Sequence, residues 1–280
     1  MIKIFIFVIL LIPYCCFGKK NTSFDTPLVE ELMSLSNSST LQNVFDLLKQ
    51  IDNSELVNKE DVYKKFLLQN GPYCGIAVRY LYTSEDSTFG SWLNNNSSSI
   101  SSFTWSEISK MSMQYGRTKK NDLVWKLLFK ALKKTLDDDT RHEILFAFRY
   151  NAISQECLLL KDFISKENFD PCRIDIFVII SRYKNPQLDS ITKQCIVQWK
   201  DPIVTNGLIK HGLMSFTRYD FLPELHMLKN KLSKIKEIEK IDDAKESLVI
   251  INNVISKLEL KKQENAPIGL PLDWPKGVTK

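Results

Sequence analysis

The residues of this 280-residue chain with the chemistry to hold a metal or attack a substrate are few: three histidines, six cysteines and the run Asp137-Asp138-Asp139. His142-Glu143 opens the segment HEILF, and in a zinc helix a second imidazole would stand four residues on, where this chain has Phe146. Two imidazoles at i and i+4 face one ion while the glutamate between them polarises bound water. A single imidazole cannot hold the ion, so His142 is expected to lie on a helix surface. His211 and His226 fall on different predicted helices and read as ordinary, partly exposed histidines. Cys157 and Cys195 lie inside apolar stripes, which favours burial or disulfide bonding over the activated thiolate a nucleophile needs. Three consecutive aspartates cannot converge on calcium as the alternating ligands of a binding loop do. They read as a loop and helix cap, stabilised by the dipole of the following helix. The sequence has no Gly-x-Ser-x-Gly elbow, phosphate loop or dinucleotide fingerprint. The expectation is a chain with no metal, no cofactor and no catalytic residue.

Composition points the same way. Apolar residues make up 44% and charged residues 25%, the profile of a folded globular protein. Only 9 glycines occur, which disfavours turn-dense β architectures and glycine-rich nucleotide folds. Residues 1–18, MIKIFIFVILLIPYCCFG, place one lysine before an unbroken apolar run and read as a secretory signal peptide, too short to span a bilayer. The mature chain is expected to be exported, without a transmembrane segment. Its four cysteines, Cys74, Cys157, Cys172 and Cys195, would support up to two disulfides in an oxidising compartment, with three connectivities open. Glycosylation sequons stand at Asn21, Asn37, Asn95 and Asn96, the last two overlapping, and two are expected to be used. A modest positive charge, +5 for the whole chain, gives no reason to expect nucleic acid as partner. The basic stretch 229–240 is diluted by Glu237 and Glu239 and reads as a solvated helix face.

The elements that must position these residues are helical. Thr26-Pro27, Asp170-Pro171, Asn185-Pro186 and Asp201-Pro202 each put a capping side chain before a proline, whose missing N–H is harmless at the first helical position. Thr104-x-x-Glu107 and Thr217-x-x-Asp220 resemble capping boxes. Apolar stripes at helical spacing follow: Leu41/Val44/Phe45/Leu48, Trp125/Leu128/Phe129/Leu132, Ile144/Leu145/Phe148 and Leu222/Leu225/Leu228/Leu232. Residues 174–180 are β-branched enough for a strand, but the Asp-Pro start predicts a helix. Trp92, Trp105, Trp125 and Trp199 are expected to wedge between helices. Residues 94–102 read as a polar flexible loop, and residues 263–280, rich in proline, as an extended tail in which a docking peptide would centre on Trp274. Roughly a dozen helices with short connections stack as antiparallel pairs, the α-solenoid arrangement.

Three stretches resemble a known family. Cys74 to Trp92, CGIAVRYLYTSEDSTFGSW, ends in Phe89-x-x-Trp92; Met113 to Phe148 carries a turn, a Trp-bearing helix and a polar break; Phe216 to Leu232 reads FTRYDFLPELHMLKNKL. In this order they resemble the C-terminal helical domain of zinc aminopeptidases of the aminopeptidase N and endoplasmic-reticulum aminopeptidase type. The resemblance covers about residues 59–262 and implies an all-α fold of stacked antiparallel helix pairs, a HEAT- or armadillo-like solenoid. It divides the chain into a signal peptide (1–18), an N-terminal helical segment (19–58), the aminopeptidase-like domain (59–262) and the tail (263–280). One departure is Leu81, where the family has a second cysteine seven residues after the first, so that small disulfide loop cannot form here.

The family's zinc helix and its Gly-x-Met-Glu-Asn substrate loop belong to domains upstream of the helical one, and neither motif occurs in this sequence. The expected function is therefore binding without catalysis: a secreted, aminopeptidase C-terminal-domain-like protein holding a peptide or protein on its helical-repeat surface. Two alternatives stand beside it. One is a truncated member of the metallopeptidase family. The other is a secreted effector or decoy that pairs with an aminopeptidase.

Overall fold

The computed structural model describes residues 27–35, 40–83, 88–134, 136–164, 166–167, 170–197, 210, 212–234, 242–268 and 270–271. Helices α1 (Pro27–Ser34), α2 (Leu41–Asn53), α3 (Lys59–Leu67), α4 (Ala77–Thr83), α5 (Phe89–Asn96), α6 (Ser102–Tyr115) and α7 (Asp122–Leu132) form the first half. The second holds α8 (Asp138–Asn151), α9 (Ser154–Ile164), α10 (Asp170–Ile180), α11 (Pro186–Val197), α12 (Leu222–Ser233) and α13 (Asp242–Gln263). Among the described residues the protein is all-α apart from two-residue strands β1 (Tyr183–Lys184) and β2 (Leu270–Pro271), paired in parallel. Helix lengths run from 7 to 22 residues, a wider spread than the sequence suggests.

Capping chemistry sets many of the boundaries. Asn185 accepts the Gln187 and Leu188 N–H groups at 2.9 and 3.4 Å, so α11 begins where Asn-Pro predicts. Helices α1 and α10 likewise begin at their proline signals, while Asp201-Pro202 lies outside the described residues. Two expected caps are corrected. Ser101, not Thr104, caps α6, accepting the Thr104 N–H at 3.2 Å, and Thr104 is buried inside the first turn. Thr217 caps nothing, because Asp220 pairs with Arg218 and α12 starts only at Leu222, with Pro223 in its first turn. The supposed loop at 94–102 is also corrected. Asn94 to Asn96 finish α5, and a tight turn held by Ser99 N–H on the Asn96 carbonyl leads to the Ser101 cap. Asn70 fixes that turn from α3's end, bonding Ser99 O at 2.8 Å and Ser101 N–H at 3.2 Å.

The buried apolar cluster runs unbroken from Val29 in α1 to Leu258 in α13. Three of the four expected stripes are buried as read, with Trp125, Leu128, Ile144, Phe148, Leu225 and Leu228 all at 2% exposure or less. In α2 the buried face is rotated: Val44, Leu47, Leu48 and Ile51 point inward, leaving Leu41 and Phe45 exposed. Segment 174–180 is helical, and Trp105 and Trp125 are fully buried while Trp92 is half-buried against Phe89. Packing stays between near neighbours in sequence. Helix α6 contacts α4, α7 and α8; α8 contacts α10; α10 and α11 contact α9; and α12 lies between α11 and α13. Residues 270–271 of the tail dock on β1, and Trp274 and Trp199 lie outside the described residues.

Partly or fully buried arginines bridge these layers. Arg117 makes a two-bond fork with Glu156 at 2.8 and 3.0 Å, joining the α6–α7 turn to α9. Arg141 forks onto Glu167 at 3.0 and 3.2 Å, and Arg218, with no exposed side-chain surface, holds Asp189, Asp220 and the Tyr183 carbonyl. Bidentate charged bonds of this kind fix orientation as well as supplying energy.

The disulfide expectation is corrected: Cys74, Cys157, Cys172 and Cys195 carry no disulfide in this structure. They sit in separate elements with other neighbours. Cys157 lies beside Tyr183, Cys172 faces the Asp138 carbonyl and Cys195 lies near Arg173. Burial pushes the Cys157 and Cys172 thiols up to about 12 and Cys195 to about 11, and raises Cys74 as well. These thiols are protonated at neutral pH and poor nucleophiles.

Candidate functional site

The helix starts at Ser102 and Asp138 meet side by side, because α6 and α8 pack along their lengths. Ser101 caps the first and Asp137 the second, Asp137 accepting the Thr140 N–H and hydroxyl, each at 2.8 Å. The Thr140 hydroxyl also reaches the Ser102 carbonyl at 3.4 Å and ties the two starts together. Burial alone would raise the Asp137 carboxyl. The bonds from Thr140 outweigh that and hold it below its ordinary 3.8.

Between these helices opens a cleft of about 610 Å³. From α6 it is lined by Ser102, Phe103, Ser106 and Lys110, which share one face at helical spacing; from α8 come Asp139, Thr140, His142 and Glu143, with Asp137 at the edge. Phe103 is 41% exposed, a large aromatic left open to solvent. Its ring lies over Gly75, 3.0 Å from where a Cβ would stand, so a larger residue there would push the ring aside by a few tenths of an ångström. Glu107 is buried beneath, bonded to Lys110 at 3.1 Å and Arg79 at 3.4 Å, and Lys110 also faces Glu143 at 3.9 Å. Lysine charge in the cleft is thus shared by two carboxylates. Asp139 is exposed, and the lining holds three carboxylates against one lysine.

His142 is more than the surface residue the sequence suggests. Its Nδ1 lies 2.8 Å from Oδ2 of Asp175, a carboxylate on α10 with 1% exposure whose other oxygen is 3.2 Å from Arg149 Nη1. The bond to Asp175 raises the imidazole pKa above 6.5; burial and Arg149 oppose this, and Glu143 adds to it. A pKa raised in the folded state stabilises the fold fully below the unfolded value of 6.5 and loses that contribution as pH rises through the folded value. The stability difference between the native chain and His142→Gln is expected to be larger at about pH 5.5 than at about pH 8.5, by less than about 1 kcal/mol because the ring is partly solvated. Urea titrations of both proteins at the two pH values measure it. An equal difference at both would mean that the protonated imidazole contributes nothing to the fold.

The other candidates read from the sequence are scattered. His226 pairs loosely with Glu259 at 3.5 Å, both about half exposed, and His211 lies outside the described residues. Asn95 is exposed and Asn96 half-buried at the end of α5, whereas Asn21 and Asn37 lie outside the described residues. Among the described residues no three His, Cys, Asp or Glu side chains are grouped to hold a metal ion, and no helix is long and apolar enough to cross a membrane. The sequence points to the Asp137–Asp139 run and His142-Glu143 but not to Phe103 or Lys110. The signal available was the α6 face Ser102/Ser106/Lys110 beside an aromatic. No family model, curated protein or solved structure matches this chain.

Proposed function

We propose that this chain is an exported, non-catalytic binding protein, a helical solenoid resembling the aminopeptidase C-terminal domain, that takes a peptide or protein segment bearing a cationic side chain. The observation carrying this reading is the α6–α8 cleft: an open aromatic, Phe103, beside a lining richer in carboxylate than in lysine. A guanidinium or ammonium stacked on Phe103 gains about 0.5–1 kcal/mol from the ring face, and Asp139 and Glu143 add charge-assisted hydrogen bonds. Packing between helices close in sequence supports the solenoid reading, since such arrays present extended surfaces for chain-like ligands. The buried, protonated thiols support binding over nucleophilic chemistry.

The test is fluorescence anisotropy of the full chain with labelled alanine-based peptides that differ in one central residue: arginine, glutamine or glutamate. The arginine peptide is expected to bind tightest, and the double variant Asp139→Asn/Glu143→Gln to weaken it by about tenfold, or about 1.4 kcal/mol. Equal binding of the glutamate peptide, or indifference to the double variant, would overturn the cleft assignment. Turnover of aminoacyl-amide reporters that a chelator abolishes would overturn the non-catalytic part.

A further inference from the structure

Two overlapping sequons, Asn95-Asn96-Ser97 and Asn96-Ser97-Ser98, offer two acceptor amides on adjacent residues at the end of α5. Their surroundings differ. Successive helical residues point about 100° apart, and here that rotation separates solvent from the helix body. Asn95 is exposed, in line with exposed Ser91, Asn94 and Ser98. Asn96 is half-buried, and its Nδ2 is turned back to donate to the Trp92 carbonyl at 2.8 Å. That carbonyl lies one turn back in the same helix, so the Asn96 side chain is folded against the α5 backbone and away from solvent. Its own carbonyl then receives the Ser99 N–H at 2.9 Å, starting the turn that delivers the Ser101 cap.

We infer that the Asn95 side-chain amide is the N-glycan attachment site, and that Asn96 stays unmodified, its amide bound to the α5 backbone. The inference rests on the export reading above. In the reaction the Asn95 Nδ2 forms a bond to C1 of an oligosaccharide, the C1–O bond to a lipid pyrophosphate carrier breaks, and the carrier leaves as the lipid pyrophosphate with the amide proton. No electrons change hands. A sugar on Asn95 stands in solvent beside serines and asparagines. A sugar on Asn96 would sit where its nitrogen meets the Trp92 backbone, opening the turn that Asn70 and Ser101 complete.

The two sequons can be removed separately: Ser97→Ala destroys only that of Asn95, and Ser98→Ala only that of Asn96. Ser97→Thr keeps both the Asn95 sequon and a hydroxyl at residue 97, and controls for substitution at that position. The full chain is expressed in a glycosylating eukaryotic host, both with its own leader and behind a leader of that host. The secreted product is trimmed to one residual sugar per site and mapped by peptide mass. Expected is a sugar on Asn95 in the native chain, in Ser98→Ala and in Ser97→Thr, and none at this position in Ser97→Ala. A sugar on Asn96 in the native chain, or its loss in Ser98→Ala, would overturn the inference. So would a bare Asn95 in product exported behind the host leader. Failure of export with the chain's own leader but not with the host's would instead count against the export reading alone.

Discussion

Arg218→Met is expected to lower the stability of this protein by about 3 kcal/mol, the scale of removing one partner from a buried ion pair. Arg218 has no exposed side-chain surface, yet each of its three nitrogens donates: Nε and Nη2 to Asp220, and Nη1 to Asp189 and the Tyr183 carbonyl, both at 2.6 Å. Burial alone would lower its pKa; the two carboxylates outweigh that and raise it, so the guanidinium is charged throughout the accessible range. Its ring-facing side lies 4.6 Å from the Phe221 centroid. Methionine fills much of the space but leaves the Tyr183 carbonyl without its donor and two carboxylates facing each other. Because those carboxylates are 24% and 28% exposed they recover some hydration, which keeps the loss at the lower end of the roughly 3–5 kcal/mol range. Arg218→Lys keeps the charge and loses the fork, and is expected to fall between native and methionine forms. Denaturant unfolding followed by tryptophan fluorescence measures all three. A methionine variant within about 0.5 kcal/mol of the native protein would mean that this cluster only decorates a fold held by apolar contact.

The contrast between Arg218 and the helix starts explains what could be read in the sequence. Asn185-Pro186 announces α11 because its signal is local: the capping oxygen and the N–H groups it meets are two and three residues apart. Trp125, Leu128 and Leu132 announce a buried face because periodicity needs no knowledge of the partner helix. Arg218 gives no such signal, since Tyr183 and Asp189 lie 35 and 29 residues away and only the packing of α11 on α12 brings them close. His142 and Asp175 fail for the same reason, lying on α8 and α10. The expected α6 start fails more narrowly. Ser101 and Thr104 both have capping side chains, and what decides between them is Asn70, just past the end of α3, holding the Ser101 backbone. Cysteine count suggested disulfides, but the count carries no distance, and the fold distributes the four thiols among separate elements. The cleft combines both cases: its rim at Asp137–Asp139 was legible as a cap, while its floor at Phe103 depends on Gly75 being bare enough for the ring to lie across it.

Trp125→Ala is expected to be as damaging as any single change in the core, at about 3–5 kcal/mol. Trp125 is fully buried on α7, edge-on to Phe148 of α8 at 5.2 Å between centroids, with Phe129 meeting the same phenyl ring at 5.9 Å. Its other neighbour is the Arg117 guanidinium, 5.6 Å from the indole. That group cannot move in to fill the space, because Glu156, Asp122 and the Asn151 carbonyl all hold it. The cavity therefore persists in the variant and the loss stays large. No acceptor among the described residues reaches the indole Nε1–H, so Trp125→Phe gives up ring area but no hydrogen bond, and is expected to lose only about 1 kcal/mol. A standing cavity with aromatic walls should also take up free indole, and by mass action indole at about 100 times its dissociation constant would restore about 2.7 kcal/mol to the alanine variant. Thermal unfolding of the three proteins with and without indole tests both points. Equal losses for phenylalanine and alanine would place the importance of Trp125 in its N–H, and an alanine variant insensitive to indole would mean that α7 and α8 close over the gap.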